Sequence, residues 1–223
     1  MTQTLHRTDH QLKTSIARAL EWAPDVNSDH VAVSVTQGAV VLSGEVLAYP
    51  EKAAATKAAL SVHGITALAD EITVKHTWGD RADADIARDT AAALSTSAVI
   101  PADAVRATIT DQWVTLSGEV HWNFQREAAV NLAGDITGVV GVHNNIQLKP
   151  VVPFAAVEAR SAVKAALVRG ALDEAHDITV GGHGTELELT GTVHSWHEFR
   201  EAADAAWATP GVTHVHNRLV VVS

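Results

Sequence analysis

One phrase, written three times, constrains this chain of 223 residues more than any other feature. Val40-Val41-Leu42-Ser43-Gly44-Glu45-Val46 returns as Val114-Thr115-Leu116-Ser117-Gly118-Glu119-Val120 with six of seven residues identical, and more loosely as Leu187-Glu188-Leu189-Thr190-Gly191-Thr192-Val193. The central glycines lie 74 and 73 residues apart, and each is followed 20 positions later by another, at Gly64, Gly138 and Gly211. Self-similarity at a fixed period marks a structural unit used repeatedly. Three copies are therefore expected, at 9–75, 83–149 and 155–223. At about 70 residues each unit lies near the lower limit for a self-sufficient core, so contact between neighbours should contribute to stability.

Within a copy the periodicity changes in a fixed order. Leu12, Ile16, Ala19 and Leu20 recur at helical spacing, as do Ile86, Thr90, Ala93 and Leu94, and more loosely Val157, Val163, Ala166 and Leu167. Val31, Val33 and Val35 then alternate with polar or small residues, and a turn at Gln37-Gly38 leads into Val40, Leu42, Gly44 and Val46, which reads as a hairpin. An alanine-rich helix from about Glu51 to Leu60 stops near Gly64, and a third strand follows at about Leu68–Val74. The order αββαβ predicts an α+β fold: three tandem units, each a three-stranded mixed sheet with two helices on one face. Gly44, Gly118 and Gly191 share the parity of the buried residues, and they are expected to let a helix approach the sheet closely. Linkers are expected at Lys75–Asp83 and Lys149–Pro153.

Composition narrows the function classes. Lys and Arg number 16 against 26 Asp and Glu, a formal charge of −10, so nucleic acid has no basic footprint to meet. The deficit is shared: six basic residues face eight acidic ones in 1–75, and five face nine in each of 76–149 and 150–223. Zero cysteines exclude disulfides, thiolate metal sites and thiol catalysis. The start, Met1-Thr2-Gln3-Thr4-Leu5-His6-Arg7, lacks the apolar run of a secretory signal, which points to a cytoplasmic protein, with peripheral membrane contact left open. No glycine-rich phosphate loop occurs, and Ser195 lacks a nucleophile elbow, so no enzyme and no cofactor are expected.

The third strands carry a further pattern, Gly138-Val139-Val140-Gly141-Val142-His143-Asn144-Asn145-Ile146 and Gly211-Val212-Thr213-His214-Val215-His216-Asn217-Arg218-Leu219, with Asp70 in place of the asparagine in copy one. Together with VxLxGxV and the alanine-rich helix, this resembles the BON domain of OsmY-like proteins across nearly the whole chain. The resemblance implies an αββαβ sandwich without enzymatic activity, and a role in binding phospholipid or protecting the envelope under osmotic stress. A cytoplasmic relative that joins one such domain to a LysM domain senses potassium, so ion sensing is an alternative; a soluble protein-interaction or chaperone-like module, or self-association, is another.

Aromatic residues make up only 4% of the chain, yet every copy places some after its second strand: Tyr49; Trp122 and Phe124; Trp196 and Phe199. They serve either to enter a lipid interface or meet a partner, or to staple the start of the following helix. Trp113, on the hairpin of copy two, is the further aromatic expected to be exposed. Among 13 histidines, His214 and His216 are the weak metal candidates, since their spacing places both rings on one strand face. No native metal site is expected, because His121 and His143 occupy the same repeat positions as His194 and His216 and read as outward-facing sheet residues.

Overall fold

The computed structural model describes residues 8–75, 81–149, 178–209 and 211–222. Copy one runs α1 (Asp9–Trp22), β1 (Val31–Thr36), β2 (Ala39–Val46), α2 (Tyr49–Leu60) and β3 (Ala67–Val74). Copy two repeats this as α3 (Asp83–Thr96), β4 (Val105–Thr110), β5 (Trp113–Val120), α4 (Asn123–Gly134) and β6 (Gly141–Leu148). Copy three contributes β7 (Ile178–His183), β8 (Glu186–Val193), α5 (Trp196–Trp207) and β9 (His214–Val221). Its expected first helix, with Val157, Val163, Ala166 and Leu167, lies outside the described residues, as do 76–80 and 150–153 of the expected linkers.

Each copy has one three-stranded sheet with the second strand central, antiparallel to the first and parallel to the third. The fold is α+β, three mixed sheets in three repeated units. In copy one the core lies between both helices and a single sheet face: Leu12, Ile16 and Leu20 of α1 and Ala55 and Ala59 of α2 meet Val40, Leu42, Val46 and Ile72. Copy two repeats the arrangement with Ile86, Leu94, Ala129 and Ala133 against Val114, Leu116, Val120 and Ile146. Alanine on the second helix keeps these cores thin, so every large side chain matters.

Side chains at repeated positions tie the elements together. Asp9, the first residue of α1, accepts from the backbone N–H of Gln37 and Gly38 at 2.8 and 3.0 Å, and Asp83 does the same for Asp111 and Gln112 at 3.0 and 2.9 Å. The turn residues so held have positive φ, 51° and 78° in the first hairpin and 50° and 65° in the second, the type I′ geometry that follows strand twist. The acidic start of α3 thus binds a turn as well as facing its helix dipole. In the third strands, Asp70, Asn144 and Asn217 each accept from the N–H two residues on, that of Ile72, Ile146 and Leu219, at 3.0, 3.1 and 3.2 Å. Either side chain offers the required oxygen, which explains why aspartate serves in copy one.

Two sequence expectations are revised. The second helix starts at Tyr49 rather than Glu51, because Pro50 is tolerated within the first turn and Glu51 reaches back to the Leu47 N–H at 3.2 Å. The glycines of the repeated phrase serve a different purpose from helix approach. Gly44 and Gly118 have φ of +135° and +137°, and a Cβ there would stand 2.0 Å from the carbonyl oxygen of His30 or Ala104, just ahead of the first strand. The space is filled by the backbone that leads into the first strand. Gly191 shares the conformation at φ +127°, while Gly64, Gly138 and Gly211 take positive φ in the turn between second helix and third strand.

Candidate functional site

The position that opens each second helix decides where the aromatics go. Tyr49, Asn123 and Trp196 are equivalent in the repeat, and so are Leu60, Gly134 and Trp207 at the far end of the same helices. Tyr49 of copy one packs against the core of copy two, where a Cβ on Gly134 would lie 2.9 Å from its ring. Burial, followed by the nearby Asp70 carboxylate, raises the Tyr49 phenol above its ordinary value. Trp196 of copy three packs against the core of copy one and donates from Nε1 to the Ile65 carbonyl at 2.9 Å; beside it His63 Nδ1 donates to the His194 carbonyl at 3.0 Å. Asn123 of copy two is buried and donates to Glu127 Oε1 at 2.6 Å, while the Arg126 guanidinium lies 4.4 Å from the ring centre of Trp207 in copy three.

These contacts run from copy one to copy two, from two to three, and from three back to one. The copies close into a ring, and the second helices converge on Asp204. Burial raises the Asp204 carboxyl pKa, assisted by Glu127 of copy two and Glu201 and opposed by Arg200 and by Lys57 of copy one. A raised carboxyl pKa means the folded protein holds a proton over a range in which the unfolded chain has lost it. Stability therefore falls as pH rises through the carboxylate range, and the penalty is complete at neutral pH. Asp204→Asn is expected to raise the melting temperature at pH 7, with a gain that shrinks to nothing in acid; equal gains at both ends of a calorimetric pH series would show that the charge is not the cause.

The six aromatics named from sequence thus divide. Tyr49 and Trp196 lie on seams between copies, and Phe199 packs on the core of copy three with its ring 5.1 Å from Trp196. All three rings cover protein. Trp122 and Phe124 keep 37% and 57% of their surface open, stacked on one another at 6.5 Å, and Gln125 between them donates to the carbonyl of exposed Val99 at 3.2 Å. These form one apolar corner on copy two. Trp113, 41% exposed, opens β5; it lies over Gly141 and stacks on His143 at 4.6 Å. The structural glycines have the backbone roles given above.

Glu51, Gln125 and Glu198 went unnoticed in the sequence, although they share one repeat position. Each reaches back from the first helical turn to the backbone N–H that leaves the second strand, that of Leu47, His121 and His194 respectively. Ser195, only 1% exposed, accepts from the Glu198 N–H and pairs with its carboxylate, so its hydroxyl caps α5. His214 Nδ1 meets Thr213 Oγ1 at 3.1 Å and His216 Nε2 meets Glu186 at 3.3 Å. Among the described residues no three of His, Asp and Glu gather as a metal would require, and no helix is long and apolar enough to cross a membrane.

Comparison with known proteins gives a family model, the BON domain, that matches residues 8–76, 82–150 and 156–223. The Osmotically-inducible protein Y of Escherichia coli is 27% identical over 146 residues, covering 63% of this chain and 73% of that protein. Among solved structures, CdsD, a structural protein of the type III secretion system of Chlamydia trachomatis, aligns over 95% of this chain and 92% of its own with a TM-score of 0.27 and 14% identity. The PrgH periplasmic domain aligns over 87% and 96% with a TM-score of 0.23 and 12% identity. Both likenesses are too distant to carry an argument.

Proposed function

Because the chain belongs to the BON domain family, with three copies in tandem, we propose that it is a non-catalytic binding protein of the osmotic stress response whose second copy engages phospholipid through Trp122 and Phe124. The open, stacked pair on copy two carries this reading. Tryptophan and phenylalanine at the start of a helix present apolar surface that a headgroup boundary accommodates, and Val99 enlarges it. The similarity to an osmotically inducible protein supports the link to stress. Ser195, spent as a helix cap, supports a role without catalysis.

The charge sets the kind of surface. With a net charge of −10 spread over all three copies, attraction to anionic lipid is absent, so contact rests on apolar burial and favours zwitterionic headgroups. In liposome flotation the protein should rise with phosphatidylcholine vesicles at least as well as with phosphatidylglycerol vesicles. Trp122→Ala/Phe124→Ala should weaken the association by about tenfold or more, since burial of two such rings contributes a few kcal/mol. Failure of the parent chain to float with either lipid sinks the lipid reading and favours a soluble protein partner at the same corner.

A further inference from the structure

We propose that the seam between copies two and three is a binding site for a phosphate group, with Arg126 as its principal ligand. A cavity of about 460 Å³ opens there, bordered by Ile146, Gln147 and Leu148 on the β6 side, Thr213–His216 on the β9 side, and Arg126 and Trp207 from the second helices. Its size suits a small ligand. None of its lining residues is acidic, in a chain where acidic side chains outnumber basic ones by 26 to 16.

Arg126 supplies the chemistry. Its guanidinium lies over the Trp207 ring at 4.4 Å, a contact that restrains its position and uses none of its five N–H donors. Among the described residues no carboxylate comes within ion-pair distance of it and it donates no hydrogen bond; Glu127 acts on it only through its field. A half-buried guanidinium seated on an indole with its donors unspent is suited to a bidentate pair with phosphate oxygens. His214 and His216 stand on the same wall. His214 uses Nδ1 toward Thr213, which leaves Nε2 for a ligand, and His216 Nε2 is occupied by Glu186 at 3.3 Å, so Arg126 is the strong cation of the site. The equivalent of Arg126 is Lys52 in copy one, which pairs with Asp70 and the Ile72 carbonyl, and Phe199 in copy three. Only copy two leaves a cation at this position uncommitted among the described residues.

The test is titration of the full chain with inorganic phosphate at constant ionic strength, followed by calorimetry and by tryptophan fluorescence, since Trp207 lies under the proposed ligand. Saturable binding is expected, with Arg126→Gln weakening it by about tenfold and Arg126→Lys by less, because lysine keeps the charge and loses the fork. Parallel vesicles containing phosphatidic acid separate the two sources of such a group. If free phosphate binds and competes with the vesicles, the group is taken from solution; if only the vesicles bind and Arg126→Gln abolishes it, a lipid headgroup is the source. Binding unchanged in both Arg126 variants, or no binding by either probe, overturns the proposal. Should Arg126→Gln lose its fold, Arg126→Lys and His214→Gln carry the decision. Trp122→Ala/Phe124→Ala should leave phosphate affinity unaltered, so this site stands or falls separately from the apolar corner.

Discussion

Gly118→Ala is expected to unfold copy two. The added methyl would stand 2.0 Å from the Ala104 carbonyl oxygen, and that carbonyl also accepts from the Glu119 N–H at 3.1 Å, so it cannot retreat without breaking the bond. The backbone at φ +137° is itself unfavourable for any side chain. Collision and strain together should cost on the order of 4 kcal/mol or more, in the range reserved for severe single substitutions. A unit of about 70 residues has only some 4–10 kcal/mol to lose. Thermal melting with hydrogen exchange should show copy two open at temperatures where copy one remains protected. Gly64→Ala is the control: nothing lies within 4 Å of its added Cβ, so only the conformational penalty at φ +94° remains, about 1–2 kcal/mol. Equal losses in the two variants would remove the steric argument.

Trp196→Ala should have the next largest effect, and it should act on two copies at once. The ring packs against the core of copy one while its helix belongs to copy three, and the Nε1 donor is spent on the Ile65 carbonyl. Removing a half-buried tryptophan and orphaning that acceptor should cost about 3 kcal/mol. The expected result is a lower melting temperature, accompanied by protease cleavage between copies two and three at concentrations that leave the parent chain intact. Trp196→Phe keeps most of the packing and forfeits the hydrogen bond, for about 1 kcal/mol. A Trp196→Ala protein with unchanged melting and proteolysis would show that the ring is not closed through this residue.

Fold class and strand order were readable because the repeated phrase gave three independent samples of one pattern, and alternation such as Val40, Leu42, Gly44 and Val46 has a single sheet solution. The conformational demand on the glycines was less visible: parity placed Gly118 on the buried face, whereas the backbone carbonyl that fills its space belongs to Ala104, 14 positions earlier. Asp9 and Asp83 could have been found by aligning copies, since both precede a hairpin turn by the same interval. The fate of the aromatics could not. Periodicity locates Tyr49 and Trp196 within their own copies, but what they touch is supplied by the neighbouring copy, whose approach no local pattern encodes. Trp122 and Phe124 stay open, whereas Asn123 between them, at the repeat position of Tyr49 and Trp196, is buried.

The second helices meet their neighbours through a different contact at each seam of the ring. Tyr49 faces glycine at Gly134, Arg126 lies over Trp207, and Trp196 packs on the core of copy one and bonds the Ile65 carbonyl. Units with one fold have thereby become distinct parts with fixed neighbours. A chain rewritten in the order two, three, one keeps every pairing. The order two, one, three brings Tyr49 to the unit that carries Trp207 and separates Trp196 from the Ile65 carbonyl it bonds. The sequence of duplicated segments along the chain is therefore itself a structural instruction, and recombination among them is constrained even though each segment alone encodes the same architecture.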